Sequence, residues 1–428
     1  MEPKVVIVLA CFSATLTAYV ERVGFSIAFT AMAKEANLDE QVKGNVLSAF
    51  YWGYGVSQIP GGWAAQLYGG RRTLIASFLA WSLACLLTPG NASSVTLTVL
   101  ARVCVGLAQG GLIPSVHTVL SKWIPPHERA RAVSLTTSGM YLGSAAAMLV
   151  LPSVSALFGA ASLLRLVGLL GLAWLALWLA VGRDAPGRRS SDSTIPLTCN
   201  EAQLKQDLPG RRASSASGAA LWASLMRSSA VWAIVVNNFA FHYAFYLVMN
   251  WLPTYFNSVL LVDLNSLGVL KPLPYLVMFA MSNVGGWMGD ALILQSKRSV
   301  AAARKTVNTI GMLSAAVAVM SMPAASGMMS GVLATTLTMG TLGLSRGGFS
   351  VNHMDIAPKY AGMVMGISNT AGTLAGVIGV AVTGYILDAA GGAGSIGGWW
   401  QAHSLAAVIL VAAMFVFNAF AKGTKLFD

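Results

Sequence analysis

The chemistry available to this chain is concentrated in a few ionisable and amide side chains that interrupt long apolar stretches: Glu21, Arg22, Arg102, Gln109, His117, His242 and Arg346. A charge at the centre of a membrane-spanning helix costs about 2.5–3.5 kcal/mol on insertion scales, so such residues face a bundle interior or an aqueous cavity and are functional by default. In the first half, two guanidiniums (Arg22 and Arg102) accompany one deep carboxylate, Glu21, which leaves a surplus positive charge. Guanidinium forks suit bidentate recognition of carboxylate or phosphate, so an anion is the natural partner. Arg22 alternatively pairs with Glu21 or a carbonyl and holds helices together, and Arg102 alternatively snorkels to its interface. Gln109 follows Arg102 by seven residues, two turns on along the same face, and serves equally as a ligand contact or as part of a buried network. An anion that neutralised Arg22 would remove the charge holding Glu21 ionised and let it take up a proton, a physical route to proton–anion coupling.

The other candidates read as structural or gating groups. His117 lies near a span end, and His242 has no in-span acid four residues away, so it is either a satisfied core histidine or a cavity residue. Arg346 precedes Asn352-His353-Met354-Asp355, which suggests a gate network of Arg346, His353 and Asp355. Asp290, after Gly285-Gly286-Trp287-Met288-Gly289 and beside Lys297-Arg298, reads as an ionic latch over closely packed helices. Arg71, in Gly69-Gly70-Arg71-Arg72, takes the matching position in the first half.

The elements that must position these groups are set by composition. Of 428 residues 56% are hydrophobic and 10% charged, with a mean hydropathy of +0.67. Soluble domains carry roughly 25% charged residues, so a soluble enzyme is excluded. Apolar segments fall at about 5–31, 44–68, 73–90, 95–121, 131–157, 160–181, 230–257, 271–294, 306–324, 329–351, 360–387 and 398–420. Each approaches or exceeds the ~20 residues of a spanning helix, which predicts an all-α polytopic membrane protein of twelve transmembrane helices in two pseudo-symmetric six-helix bundles. The expected organisation is a bundle over 1–181, a flexible linker over 182–228 with GRRSSDSTIP and PGRRASSASG, and a second bundle over 229–428.

With the N-terminus in the cytosol, 20 of the 27 Lys and Arg fall on the cytosolic side, four on the other and three within spans. The positive-inside rule then places both termini in the cytosol. The net charge of +12 is therefore mostly orientation, and no nucleic-acid partner is implied. Gly61-Gly62-Trp63 recurs as Gly285-Gly286-Trp287 at an offset of 224, and Pro126–Ala130 is answered by Pro358–Gly362 at 232. Such near-constant offsets indicate parallel repeats, which many secondary transporters use. The four cysteines show no metal or disulfide spacing. With no HExxH, paired acidic motif or nucleophile elbow, neither a metal, a cofactor nor an enzyme is expected. Asn91-Ala92-Ser93 is a glycosylation sequon close to the membrane. No signal-peptide cleavage site or Arg/Ser-rich transit segment is expected ahead of the first span.

Gly62-x3-Gln66-x2-Gly69-Gly70-Arg71-Arg72 resembles the loop signature of the major facilitator superfamily, with Gln66 in place of the usual Asp. Trp52-Gly53-Tyr54-x3-Gln58-Ile59-Pro60, Trp123-x-Pro125-Pro126-x-Glu128-Arg129 and Asn352-His353-x-Asp355-Ile356-Ala357-Pro358 resemble its anion:cation symporter branch, which includes vesicular glutamate transporters, sialin and plant phosphate transporters. Glu21–Ser26, Phe241-His242-Tyr243 and Ser345–Ser350 are most similar to the plant type-4 phosphate transporters, the Golgi-located kind above all. The resemblance implies a monomeric alternating-access carrier of inorganic phosphate or a similar small anion, coupled to H+ or Na+, in the Golgi or another endomembrane. The organic-anion carrier or an uncoupled anion conductance is the alternative, and plastid or plasma membrane the alternative location. It implies that Arg22 and Arg102 serve the anion site, with Glu21 the proton-coupling carboxylate; with these, His242 and Tyr54 are counted as substrate-binding candidates, and Gln109, Arg346, His353, Asp355, Asp290 and Arg71 as gating or structural residues. Gln109 stands where several members carry a coupling Glu, and Phe241 where the glutamate transporters carry an Arg, which disfavours glutamate.

Overall fold

The computed structural model describes residues 2–38, 40–91, 94–186, 218–262, 268 and 270–427, and among these every regular element is helical. The first half holds α1 (Pro3–Glu35), α2 (Glu40–Tyr68), α3 (Gly70–Leu87), α4 (Val95–Gln109), α5 (Leu112–Trp123), α6 (Arg129–Phe158) and α7 (Ala160–Val181). The second holds α8 (Gly218–Arg227), α9 (Ser229–Ser258), α10 (Leu273–Leu294), α11 (Val300–Ser321), α12 (Met328–Ile356), α13 (Ala361–Ala389) and α14 (Ile396–Phe420). Serine caps mark several starts: Ser94, Ser228, Ser299 and Ser395 each accept a bond from a first-turn backbone N–H, satisfying donors that a helix leaves open.

Each of the twelve expected spans corresponds to a long helical segment, the fourth being α4 and α5 in series. Nine segments are long and apolar enough to cross a membrane among the described residues. The other three, α2, α11 and α12, are 22 to 29 residues long but less apolar. In α12 the reason is burial: almost all of Gly331–Ile356 is inside the protein, where Thr, Ser and Gly replace lipid-facing Leu and Ile. It also runs past the expected end at 351, so Asn352, His353 and Asp355 are helical rather than in a loop. The fourth span breaks at Gly110-Gly111, where a side chain at Gly61 would stand 2.8 Å from Gly111 N. Gln109 therefore ends α4 beside a close helix crossing. Residues 187–217 of the expected linker lie outside the described residues, as does most of the sequon. The linker's end is not coil but α8, with Leu225 buried and Met226 O accepting from Trp232 Nε1 at 2.7 Å.

Within the first half α1 packs on α6 and α7, α2 on α4, and α3 on α4 and α7; within the second α9 packs on α13 and α14, α10 on α12, and α11 on α12 and α14. The halves meet along two equivalent seams, α6 against α10 and α2 against α13. The repeated motifs make these seams. A Cβ on Gly286 would sit 2.7 Å from Ala130 O, and one on Gly62 would sit 2.6 Å from Gly362 O, so only glycine permits either approach. Both termini lie at one face, where Lys4 Nζ meets Glu128 at 3.0 Å and the Leu426 and Phe427 N–H groups donate to Ile356 O.

Candidate functional site

The middle of α1 carries Tyr19, Glu21 and Arg22 within one turn. Successive helical residues diverge by roughly 100°, so Glu21 and Arg22 point different ways despite being adjacent. Glu21 is fully buried and accepts from Arg102 Nη1 at 2.5 Å, from Gln109 Nε2 at 2.8 Å and from Cys85 Sγ at 3.6 Å. Gln109 Oε1 in turn accepts from Arg22 Nε at 3.0 Å. The four polar groups thus form one relay, Arg22–Gln109–Glu21–Arg102, in which the amide stands between the carboxylate and the second guanidinium. Pairing of Arg22 with Glu21 does not occur. Arg102 does not snorkel: it is 3% exposed, its charge matched by Glu21 and its guanidinium carbon 3.9 Å from the Phe25 ring centroid.

A cavity of about 30 Å³ opens near the middle of the helices, lined by Tyr19, Tyr54, Tyr141, His242, Tyr246, Arg346 and Asn369, with Ile113, Met140, Phe241, Phe245 and Met365 as its apolar wall. This is room for about two water molecules, so the chamber is narrow in this conformation. Arg22 stands behind it, 4.5 Å from the ring centroids of Tyr19, Phe50 and Tyr54. Arg346 lies in it. Its spacing predicts a network with His353 and Asp355, but His353 lies about two turns further along α12, between the cavity and the terminal face, and Asp355 lies at that face. Instead Arg346 Nη1 donates to the Tyr141 hydroxyl at 3.0 Å and the guanidinium carbon lies 5.1 Å from the Phe241 ring. Arg346 is 4% exposed, its Nε has no hydrogen-bond partner, and it forms no ion pair among the described residues. The Tyr54 hydroxyl accepts from Asn369 Nδ2 at 3.0 Å across the two halves, and His242 Nδ1 bonds Asn238 O at 2.9 Å.

Between this cavity and the terminal face the seam is closed. His117 Nδ1 and His353 Nε2, one from each half, lie 2.6 Å apart, and Gln58 Nε2 donates to Thr373 Oγ1 at 2.7 Å. At the face itself Asp355 meets Arg304 at 2.9 Å and Arg129 at 3.6 Å. Asp290 does not reach Lys297-Arg298. It accepts from the backbone N–H groups of Ala130 and Arg131 at 3.1 and 2.9 Å and lies 3.5 and 3.7 Å from Arg131 and Arg304, capping α6 from the opposite half. Arg71 stays within the first half, its Nε on Gly182 O at 2.7 Å and its N–H on Asp184 at 2.8 Å.

Sequence reasoning missed Tyr19, Tyr141, Tyr246 and Asn369 in the cavity and Arg129 and Arg304 in the latch. Tyr19, three residues before Arg22 and so on one helix face, was the available signal. The others become neighbours only through tertiary packing. Together the groups present a cationic, hydrogen-bonding chamber between two halves, and no cluster of three or more metal-ligating side chains occurs among the described residues.

Residues 11–380 match the Major Facilitator Superfamily. The chain is 46% identical over 426 residues to "Probable anion transporter 6" of Oryza sativa subsp. japonica, covering 99% of this chain and 98% of that one. It is 34% identical to "Sodium-dependent phosphate transport protein 1, chloroplastic" of Arabidopsis thaliana, covering 99% and 80%. The solved proton:xylose symporter XylE superposes with a TM-score of 0.71 at 16% identity over 99% of this chain and 97% of that one, a likeness of fold. A helical membrane architecture, a charged chamber between two repeats and these matches agree: the chain belongs to the Major Facilitator Superfamily, in the branch that holds these plant anion transporters, and is a multi-pass membrane transporter rather than an enzyme.

Proposed function

We propose that the protein carries inorganic phosphate or a similar small oxyanion by alternating access, coupled to H+ or Na+. The observation that carries this reading is Arg346: a buried guanidinium with no carboxylate and one unpartnered nitrogen, facing a cavity whose other wall belongs to the first half. A buried cation left uncompensated is costly, and an anion seated between the halves offsets that cost. The Tyr54 and Tyr141 hydroxyls, whose oxygens already accept, have protons free to donate to it. Arg22 adds a second positive charge behind the Tyr19 and Tyr54 rings and swings forward as the chamber expands.

Coupling runs through Gln109. An anion that draws Arg22 away leaves Gln109 free to turn, and Glu21 then loses one of its two nitrogen donors. The carboxylate takes up a proton in compensation, so anion and proton move together. Arg102 remains on Glu21 throughout and is a coupling residue rather than a substrate contact. The relative's sodium dependence supports Na+ as the alternative coupling ion. The charge asymmetry of the loops supports cytosolic termini, and the resemblance supports a monomer in the Golgi or another endomembrane.

Uptake of labelled phosphate, ascorbate and glutamate into proteoliposomes, with imposed pH or Na+ gradients, tests the reading. Phosphate accumulation driven by one gradient and lost in Arg346→Ala is expected. Carriage of ascorbate with no phosphate uptake would establish an organic-anion carrier instead.

A further inference from the structure

We infer that His242 reads the proton carried by the anion, so that the site selects a singly protonated oxyanion, hydrogen phosphate, over the isosteric but unprotonated sulfate. This rests on the phosphate reading above. A backbone carbonyl can only accept, so the 2.9 Å contact with Asn238 O makes His242 Nδ1 the donor. The neutral ring then presents its Nε2 lone pair, since the bond at one ring nitrogen sets the state of the other. His242 lines the cavity beside Arg346, and its Nε2 has no hydrogen-bond partner among the described residues.

Three neighbouring cavity groups donate. Arg346 can only donate, and the Tyr141 and Tyr54 oxygens already accept from Arg346 and Asn369, which turns their protons toward the chamber. A tetrahedral oxyanion satisfies these donors whether or not it carries a hydrogen. The Nε2 lone pair is different: hydrogen phosphate satisfies it with its O–H, whereas sulfate turns an oxygen lone pair against it. A site built to bond a substrate hydroxyl rejects the analogue that lacks it because a buried polar group is left unpaired. Asn369 spends its Nδ2 on Tyr54, so its Oδ1 is a second acceptor, but its amide rotates whereas the imidazole is pinned to its own helix.

The test is competition for labelled-phosphate uptake by the full-length protein in proteoliposomes, at one neutral pH, with unlabelled phosphate or sulfate as competitor. One unpaired acceptor predicts that sulfate competes roughly 10- to 100-fold more weakly than phosphate. In His242→Leu the phosphate-to-sulfate ratio falls toward one, a change that a merely structural role for the ring would not produce. Equal competition by sulfate in the wild type overturns the inference while leaving the phosphate reading intact, and so does a variant that still transports and keeps the full ratio. Absence of phosphate uptake by the wild type overturns the phosphate reading itself, and this inference with it.

Discussion

Arginine 346 and arginine 102 are both almost fully buried, yet replacing each by glutamine has opposite consequences. Arg102 is half of an ion pair with Glu21, whose exposures are 4% and 0%. Removing one partner of such a pair leaves an uncompensated buried charge and costs about 3–5 kcal/mol of stability. Arg346 has the Tyr141 hydroxyl as its one hydrogen-bond partner among the described residues, so Arg346→Gln leaves at most one neutral group unsatisfied, about 1 kcal/mol. Its cost falls on the anion instead. A hydrogen bond to a charged group contributes about 1.5–3 kcal/mol, which is roughly a 10- to 150-fold rise in KM for phosphate per bond lost. Initial rates of phosphate uptake give KM, and the unfolding midpoint of the purified protein gives stability. Arg346→Gln is expected to raise KM by that factor with its midpoint nearly unchanged; Arg102→Gln is expected to lower the midpoint by several degrees. An Arg346→Gln protein whose KM stays within twofold of wild type would refute the placement of the anion against this residue.

Glu21→Gln removes the proton acceptor but keeps an amide able to accept from Arg102. Phosphate exchange across the membrane should persist while uptake stops responding to an imposed pH gradient, and a retained response would show that the proton travels elsewhere. Asp290→Asn weakens the cap that the second half places on α6 and two ionic contacts at once, which should shift the population toward opening at the terminal face. A cysteine at the buried Ser134 beside that seam should then react faster with a water-soluble maleimide applied from that face; an unchanged rate would mean that Asp290 does not hold the seam.

What was legible in the sequence is what depends on local pattern. Apolar length marked the helices, and the spacing of the glycine pairs marked the repeat, but that both copies lie at the seams between the halves emerges only from the packing. Asp290 was recognisable as a latch from its glycine neighbours, but its partners were not: the N–H groups of Ala130 and Arg131 belong to a helix start 160 residues away. The Glu21–Arg22 pair misled because adjacency along a helix separates side chains by rotation, so the carboxylate found Arg102 and Gln109 instead. Arg346 misled in the opposite way. Its proximity in sequence to Asp355 spans more than two helical turns, and that distance separates the chamber from the face. α12 could not be measured from hydropathy because its polar positions are buried against other helices rather than in water.

The two seams are related by the repeat but are not equally held. Subtracting the offset of 224 that relates the glycine pairs places Gln66 at the position of Asp290. Asp290 caps the start of α6 across the seam with two charge-assisted bonds, whereas the start of α13 has Tyr360 at its cap and no side-chain bond. The α2–α13 seam is instead held by the approach of Gly62 to Gly362 and by the Gln58–Thr373 and Tyr54–Asn369 bonds. A carboxylate cap contributes about 0.5–2 kcal/mol, and the helix dipole adds about 0.3–1 kcal/mol where the charge sits within the first turn. The terminal end of the α2–α13 seam therefore lacks the contribution that Asp290 supplies to α6–α10. Gln66→Asp restores the missing carboxylate opposite the α13 start. It should stabilise closure at the terminal face by about 1–2 kcal/mol, slowing turnover roughly 5- to 30-fold where opening at that face limits the rate, with KM changed far less. A Gln66→Asp protein that cycles at the wild-type rate while its seam cysteines show the wild-type reactivity would mean that the two seams are already balanced by other contacts.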